Sequence, residues 1–314
     1  MSAAAMIQTV TGPVPAESLG HCQVHEHLIV LPTPASAVNG DLCFDAPDLS
    51  ERELLAYKAA GGCALADAQP VGAGRDASAL LALAQHTGVF LVASTGYHLE
   101  GFYAAGGFAG TEEELYERYV SEMTEGLQAP DGTRVKALAG LVKAAIPKEG
   151  PVGPYETHLR AAARAAERCG RALMLHTEAG QNALAAVDRI ERAGLPPERV
   201  LLCHADRNAA DHAMHLALAR RGVYLEYDTV ARPKYHGEEE EWKLLHAMLE
   251  AGYEDRLLLS LDTTRARLRA YGGRIGLDYL LTTYLPWLRS RGLSPESLHT
   301  ITVENPARAL SLRP

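Results

Sequence analysis

Short apolar runs alternate with longer amphipathic stretches along almost the whole chain. Strand-like runs occupy residues 22–30 (CQVHEHLIV), 63–68, 89–95, 136–144, 172–177, 199–205, 223–228 and 256–262. Several are nearly continuous apolar segments, the pattern of parallel strands buried on both faces. Between them the spacing predicts helices over residues 50–60, 76–87, 111–126, 155–169, 182–193, 209–221 and 239–251. Most stop at a glycine, and Gly194 has Pro196 beyond it, a helix-stop signal. Thr111 with Glu114 three residues on reads as a capping box. Further helical segments start near Leu277 and at Ser294-Pro295, with proline at the first helical position.

Eight strand–helix units predict an α/β protein, a single-domain (β/α)8 barrel of the TIM type. The expected layout is a short N-terminal hairpin cap over residues 1–20, the barrel over 21–292 and a C-terminal helix over 293–314. No Gly-, Ser- or Pro-rich linker divides the chain. An open doubly wound sheet is the alternative, but no GxGxxG or Walker-type loop follows any strand.

In such a barrel the chemistry sits at the C-terminal ends of the strands. His25 and His27 stand at the end of the first strand, two residues apart and so on one face. Lys143 ends the fourth, His176 the fifth, His204 the sixth and Asp262 the eighth. A lone strand-end histidine usually has an ordinary structural explanation. His86, His158, His212, His215, His246 and His299 fall in helix-like regions and are read that way. Four histidines and an aspartate converging in this order is a different matter. Neutral imidazole and carboxylate donors suit zinc and similar divalent ions. Lys143 sits in the apolar stretch AGLVKAA. Such a lysine either snorkels to solvent or is buried. Burial disfavours an ammonium, and a neutral amine reacts with carbon dioxide to give a carbamate whose two oxygens can bridge two metals.

Composition removes some alternatives. The chain has 314 residues, 47% hydrophobic, and a formal net charge of −9. That charge argues against a nucleic-acid partner, which calls for a basic patch. Five cysteines without a CxxC pair argue against a disulfide framework. The first residues lack the basic and apolar regions of a signal peptide, and no apolar run has the length to span a bilayer. A cytoplasmic location with no membrane partner is expected.

The strand-end motifs HEH (25–27), AGLVK (139–143), LMLHTEAG (173–180), VLLCHAD (200–206) and LLLSLD (257–262), with the closing ENPARAL (304–310), resemble the phosphotriesterase family of the amidohydrolase superfamily over nearly the whole chain. The resemblance implies a binuclear metal centre. His25, His27 and Asp262 would bind one metal and His176 and His204 the other, with carbamylated Lys143 and a hydroxide as bridges. Zinc is the first expectation; manganese, cobalt and iron suit the same donors. The implied reaction is hydrolysis, with Asp262 taking the proton of the attacking hydroxide. The family also suggests a homodimer.

The chain is poor in aromatics, with two Trp and four Phe. The segment after Asp262, DTTRARLRAYGG, and YDTVARPKYHGEE after the seventh strand are similar to the phosphotriesterase-homology and phosphofuranose-lactonase branch. Those loops carry Arg232, Lys234, Tyr235 and Arg265 as candidate substrate-binding residues, with Arg232 and Arg265 as a phosphate clamp. Tyr97, after the third strand, is expected to line the pocket, whereas Arg267, Arg269 and Arg274 are expected to be solvated. The small-molecule substrate expected is thus a small phosphorylated sugar lactone. Alternatives are a broad lactonase or organophosphate triesterase, an amidase-like hydrolase, and a non-catalytic, metal-containing ligand-binding protein. A mononuclear deaminase-like site is disfavoured because a bridging lysine has no role in it.

Overall fold

The computed structural model describes residues 5–313; residues 1–4 of the expected cap and Pro314 lie outside the described residues. Eight parallel strands form one sheet in which each strand pairs with its chain neighbours. They are β1 (Cys22–Glu26), β2 (Ala64–Asp67), β3 (Phe90–Gly96), β4 (Leu141–Ala145), β5 (Ala172–His176), β6 (Val200–Leu202), β7 (Tyr224–Tyr227) and β8 (Leu257–Leu259). The two ends of the sheet meet just beyond β8. Asp262 N donates to His25 O at 3.1 Å, and His25 N donates to Ser260 Oγ at 3.0 Å. Glu26 completes the closure: its carboxylate accepts Leu261 N at 2.8 Å and Thr263 N at 3.2 Å. The result is a nearly closed (β/α)8 barrel.

Seven helices of nine residues or more return the chain between strands: α1 (Pro47–Ala59), α2 (Ala77–Thr87), α3 (Glu112–Thr124), α4 (Pro154–Arg168), α5 (Ala183–Arg192), α6 (His212–Arg220) and α7 (Glu238–Glu250). An eighth helical segment, Leu280–Ser290, follows β8 and opens with a π turn. The Thr111–Glu114 capping box forms as the spacing predicts. The buried face of α4 carries Ala161, Ala162, Ala165 and Ala166, small enough for the helix to lie close to its neighbours. No helix among the described residues is long and apolar enough to cross a membrane.

The apolar core has two parts. One lies between strands and helices. The other fills the barrel interior with Val24, Ala66, Val92, Leu141, Met174, Leu201 and Leu258, packed side by side as in barrels generally. Its lower end is plugged by Ile7 and Leu19 from the N-terminal region and by Ala309 and Leu310 from the C-terminal helix. The antiparallel hairpin there pairs Met6–Thr9 with Gly12–Pro15. The ENPARAL motif earns its place through Asn305, whose Nδ2 donates to Glu254 O and Leu257 O at 2.8 Å each, tying the last helix to the start of β8.

Apart from β3, which keeps the length of its run, the strands are shorter than the apolar runs that predict them. The fourth run begins outside the barrel, directly after a separate hairpin that pairs Arg134–Val135 with Leu127–Gln128. The first, sixth and eighth runs leave the sheet early because their ends build the mouth. His204 and Asp262 both take left-handed backbone conformations, φ 59° and 49°, uncommon away from glycine. Those turns end β6 and β8 and swing the two side chains over the barrel opening.

Candidate metal centre

Alternation along the strands decides which residues enter the barrel. Leu141 is in the interior core, so Lys143 follows it upward; Met174 likewise leads to His176. On β1 strict alternation fails. Val24 packs in the interior, yet His25 also turns inward, because the register of β1 against β2 shifts between Gln23 and Glu26. A bulge of this kind re-aims side chains beside active sites. It leaves Glu26 in the wall, fastened to β8, with His25 and His27 at the mouth.

The six predicted donors are linked in one chain of contacts. Lys143 Nζ lies 3.4 Å from His25 Nε2. Asp262 Oδ1 lies 3.8 Å from His25 Nε2 and 3.4 Å from His27 Nε2. Asp262 Oδ2 is 3.9 Å from His204 Nδ1, and His204 Nε2 faces His176 Nδ1 at 2.9 Å. All six side chains are buried.

Two acids that the strand-end reading passed over support these donors from β7 and its end. Glu226 and Asp228 follow Tyr224 into the interior by the same alternation. His25 Nδ1 lies 2.9 Å from Glu226 Oε2 and 3.2 Å from Asp228 Oδ2. His204 Nδ1 donates to Asp228 Oδ1 at 2.7 Å. Each imidazole is thereby held with Nε2 directed into the barrel, the arrangement that orients metal-ligating histidines. Burial opposes the charge on Asp228, but His204 and His25 outweigh it and hold the carboxyl well below its usual range. Burial pushes His176 down to about 4 and His204 well below its ordinary value, so both stay neutral as ligands must.

The donor set fits a metal. His25, His204 and Asp262 offer atoms within 4.8 Å of one another, and His27 Nδ1 is buried without a hydrogen-bond partner. Lys143 Nζ is fully buried, and its neighbours besides His25 are Met174 Sδ at 3.3 Å and Cys203 Sγ at 3.5 Å. Among the described residues no carboxylate pairs with it, a costly setting for an ammonium and an open one for an amine that acquires an anionic group.

A cavity of about 380 Å³ opens above these residues. One wall is apolar, with Val30, Leu42, Phe44, Leu99 and Phe102. A cationic wall comes from the loops after β6 and β7, with Arg207, Arg232, Lys234 and Tyr235, and Glu178 and Asp41 also line the cavity. Arg207 Nη2 and Arg232 Nη1 lie 3.0 and 3.1 Å from Asp262 Oδ2. Burial works against ionisation of Asp262, but Arg232 and the imidazoles hold it well below the usual carboxylate range. Arg207 and Lys234 each stand 4.5 Å from the centre of the Tyr235 ring, a cation–π geometry.

Two expected pocket residues lie elsewhere. Tyr97 is 1% exposed and packs between Phe108 and His158. Alternation explains it: Val92 is interior, so Ser94, Gly96 and His98 share its side and Tyr97 points into the helix layer. His98 lines the cavity instead, its ring centre 4.9 Å from that of His176. Arg265 is exposed and does not line the cavity. Its place is taken by Arg207, three residues after His204. Arg267, expected in solvent, is half-buried and donates to Ala231 O and Val230 O at 3.2 and 2.7 Å. Those bonds pin the turn and leave Arg265 facing outward.

The barrel and its mouth define a metal-dependent hydrolase. Residues 5–310 match the sequence profile of the Phosphotriesterase family, and the chain belongs to that family. It is 33% identical over 238 residues to the phosphotriesterase homology protein of Escherichia coli (strain K12), covering 75% of this chain and 79% of that one. The crystal structure of that protein with phosphate in its active site superposes with a TM-score of 0.86 at 28% identity, covering 93% of this chain and 99% of that one. A phospho-furanose lactonase of Mycoplasmopsis synoviae (strain 53) is 29% identical, covering 97% and 91% of the two chains. An N-acetyltaurine hydrolase of Xenopus tropicalis is 28% identical, covering 98% of both.

Proposed function

We propose that the protein is a lactonase that opens a small phosphorylated sugar lactone. The observation that carries this reading is the gathering of Arg207, Arg232 and Lys234 in the lining of the metal-site mouth, together with an apolar set of Val30, Leu42, Phe44, Leu99 and Phe102. Guanidinium groups bind phosphate oxygens in pairs, and an ammonium adds a point charge. The apolar wall takes the carbon framework. A neutral phosphotriester would offer these cations no anionic group to bind, so organophosphates are poor candidates. A phospho-furanose lactonase and a structure with phosphate in its active site stand among the relatives.

His25, His27 and Asp262 would hold one divalent metal and His176 and His204 a second, with Lys143 as its carbamate between them and zinc the preferred ion. Bound metal supplies hydroxide near neutral pH and polarises the scissile carbonyl. Asp262, its Oδ2 held by the two arginines, would accept the proton of the attacking hydroxide. Arg207 and Arg232 fix the orientation of that carboxylate through Oδ2, and Arg232 also donates to the Asp262 backbone carbonyl.

A second reading is favoured by the N-acetyltaurine hydrolases. A sulfonate is also tetrahedral and anionic, so the same wall would seat an N-acyl aminosulfonate and the reaction would be amide hydrolysis. One panel tests both: kcat/KM for a phosphorylated lactone, its unphosphorylated counterpart, N-acetyltaurine and a neutral triester. Preference for the phosphorylated lactone, lost in Arg232→Ala through KM, is expected. Equal rates for phosphorylated and plain lactones would overturn the phosphate assignment, and preference for N-acetyltaurine would establish the second reading.

A further inference from the structure

Behind the cationic wall, outside the barrel mouth, Asp206, His236 and Glu241 bring ligand atoms within 4.8 Å of one another. Asp206 lies in the turn after β6, His236 in the loop after β7 and Glu241 in the first turn of α7. Both acids are 0% exposed. Asp206 Oδ2 accepts Thr229 N at 2.7 Å and Thr229 Oγ1 at 2.6 Å, and it stands 3.5 Å from His236 Nε2. The other lone pairs are spare. Asp206 Oδ1, both Glu241 oxygens and the Tyr284 hydroxyl are buried without a hydrogen-bond partner. Tyr284 is 1% exposed and its hydroxyl stands beside Glu241. Among the described residues neither carboxylate pairs with a lysine or arginine; His236 is the single base at the cluster. Two such acids buried together need a neutralising partner.

We propose that Asp206, Glu241 and His236 form a separate divalent-cation site of the zinc or manganese class. Two carboxylates balance the charge of one divalent ion. The imidazole selects against magnesium and calcium, which prefer all-oxygen shells. The buried, unpartnered Tyr284 hydroxyl beside Glu241 is a further oxygen at the cluster. The His236 side chain is 6% exposed and borders a cavity of about 420 Å³, the side from which an ion would reach the cluster. The site joins the loop carrying Arg232, Lys234 and Tyr235 to α7 and to the turn carrying Arg207, and a bound ion would brace the substrate wall from behind.

The test counts metal in the full chain after chelation, reloading with zinc and desalting, using plasma mass spectrometry. His236→Ala, a change on a loop, and Glu241→Gln, nearly isosteric, should each hold one zinc equivalent fewer than the wild type. Zinc should also raise the Tm of the wild type more than that of either variant. Unchanged zinc in His236→Ala overturns the site, and so does unchanged zinc in a folded Glu241→Gln chain. The site does not depend on the mouth holding metal. His176→Ala reports the mouth separately, and the one-equivalent difference between His176→Ala and His176→Ala/His236→Ala should persist even if the mouth is empty.

Discussion

Asp228 grips His204 at two points: Oδ1 accepts the ring Nδ1–H at 2.7 Å and Oδ2 accepts the backbone N–H at 3.0 Å. His204 sits at φ 59°, a conformation that persists only where the surroundings enforce it. One carboxylate thus fixes the backbone turn, the ring orientation and the tautomer together. Asp228→Asn keeps the shape but offers one accepting atom where two are used. Metal affinity at the mouth is expected to fall by about 10–100-fold, with the fold intact. Competition with a calibrated chelator measures it; an unchanged affinity would remove Asp228 from the support of the site.

Lys143 separates a structural from a chemical lysine. If its nitrogen carries a carbamate, Lys143→Ala should lose activity by about 100-fold or more and lose bound metal. A short carboxylate such as propionate should restore part of both by entering the space left behind. Lys143→Arg cannot form the carbamate and leaves no space, so propionate should not rescue it. Wild-type protein in ¹³C-bicarbonate should show a carbamate resonance that both variants lack. Full activity in Lys143→Ala would sink the bridge.

Arg207 and Arg265 make a matched pair of arginines in mouth loops, one with its side chain 6% exposed in the cavity wall and the other in solvent. Charge-assisted hydrogen bonds contribute about 1.5–3 kcal/mol. Arg207→Ala should therefore raise KM for an anionic substrate by roughly 10–100-fold, with a smaller effect on an uncharged analogue. Arg265→Ala should stay within about twofold on both, as surface changes do. Steady-state kinetics with the two substrates decides; a large KM effect at Arg265 would mean that the turn rearranges on binding.

The contrast between those arginines shows where the sequence was readable. The eight strands were legible because each apolar run ends in polar residues, and the donors were legible because they sit at those ends. Alternation also separates His98 from Tyr97, counting from Val92, and finds Glu226 and Asp228, counting from Tyr224. The bulge in β1 and the left-handed turns at His204 and Asp262 were not legible, since they depend on contacts with residues far along the chain. The path of the loop after β8 is of the same kind. Arg267 settles it by bonding to carbonyls of the loop after β7, and no local pattern distinguishes Arg267 from Arg265.

His215 on α6 gives a pH dependence separate from the catalytic donors. It is fully buried; Nε2–H donates to Asn208 O at 3.3 Å, and Nδ1 accepts from the Tyr227 hydroxyl at 3.1 Å. Burial pushes its pKa from 6.5 down to about 4. Above pH 6.5 neither folded nor unfolded chain is protonated there, and the stability of the neutral, bonded ring is fully present. Between 6.5 and 4 the unfolded chain takes up a proton that the native state refuses, so stability falls with pH. At pH 5 the cost is on the order of 2 kcal/mol. His215→Gln should be less stable than wild type at pH 7 but lose less on acidification. The wild-type advantage in urea unfolding is expected to shrink by roughly 2 kcal/mol between pH 7 and pH 5. If the two stability curves run parallel over that interval, His215 is not the group that titrates.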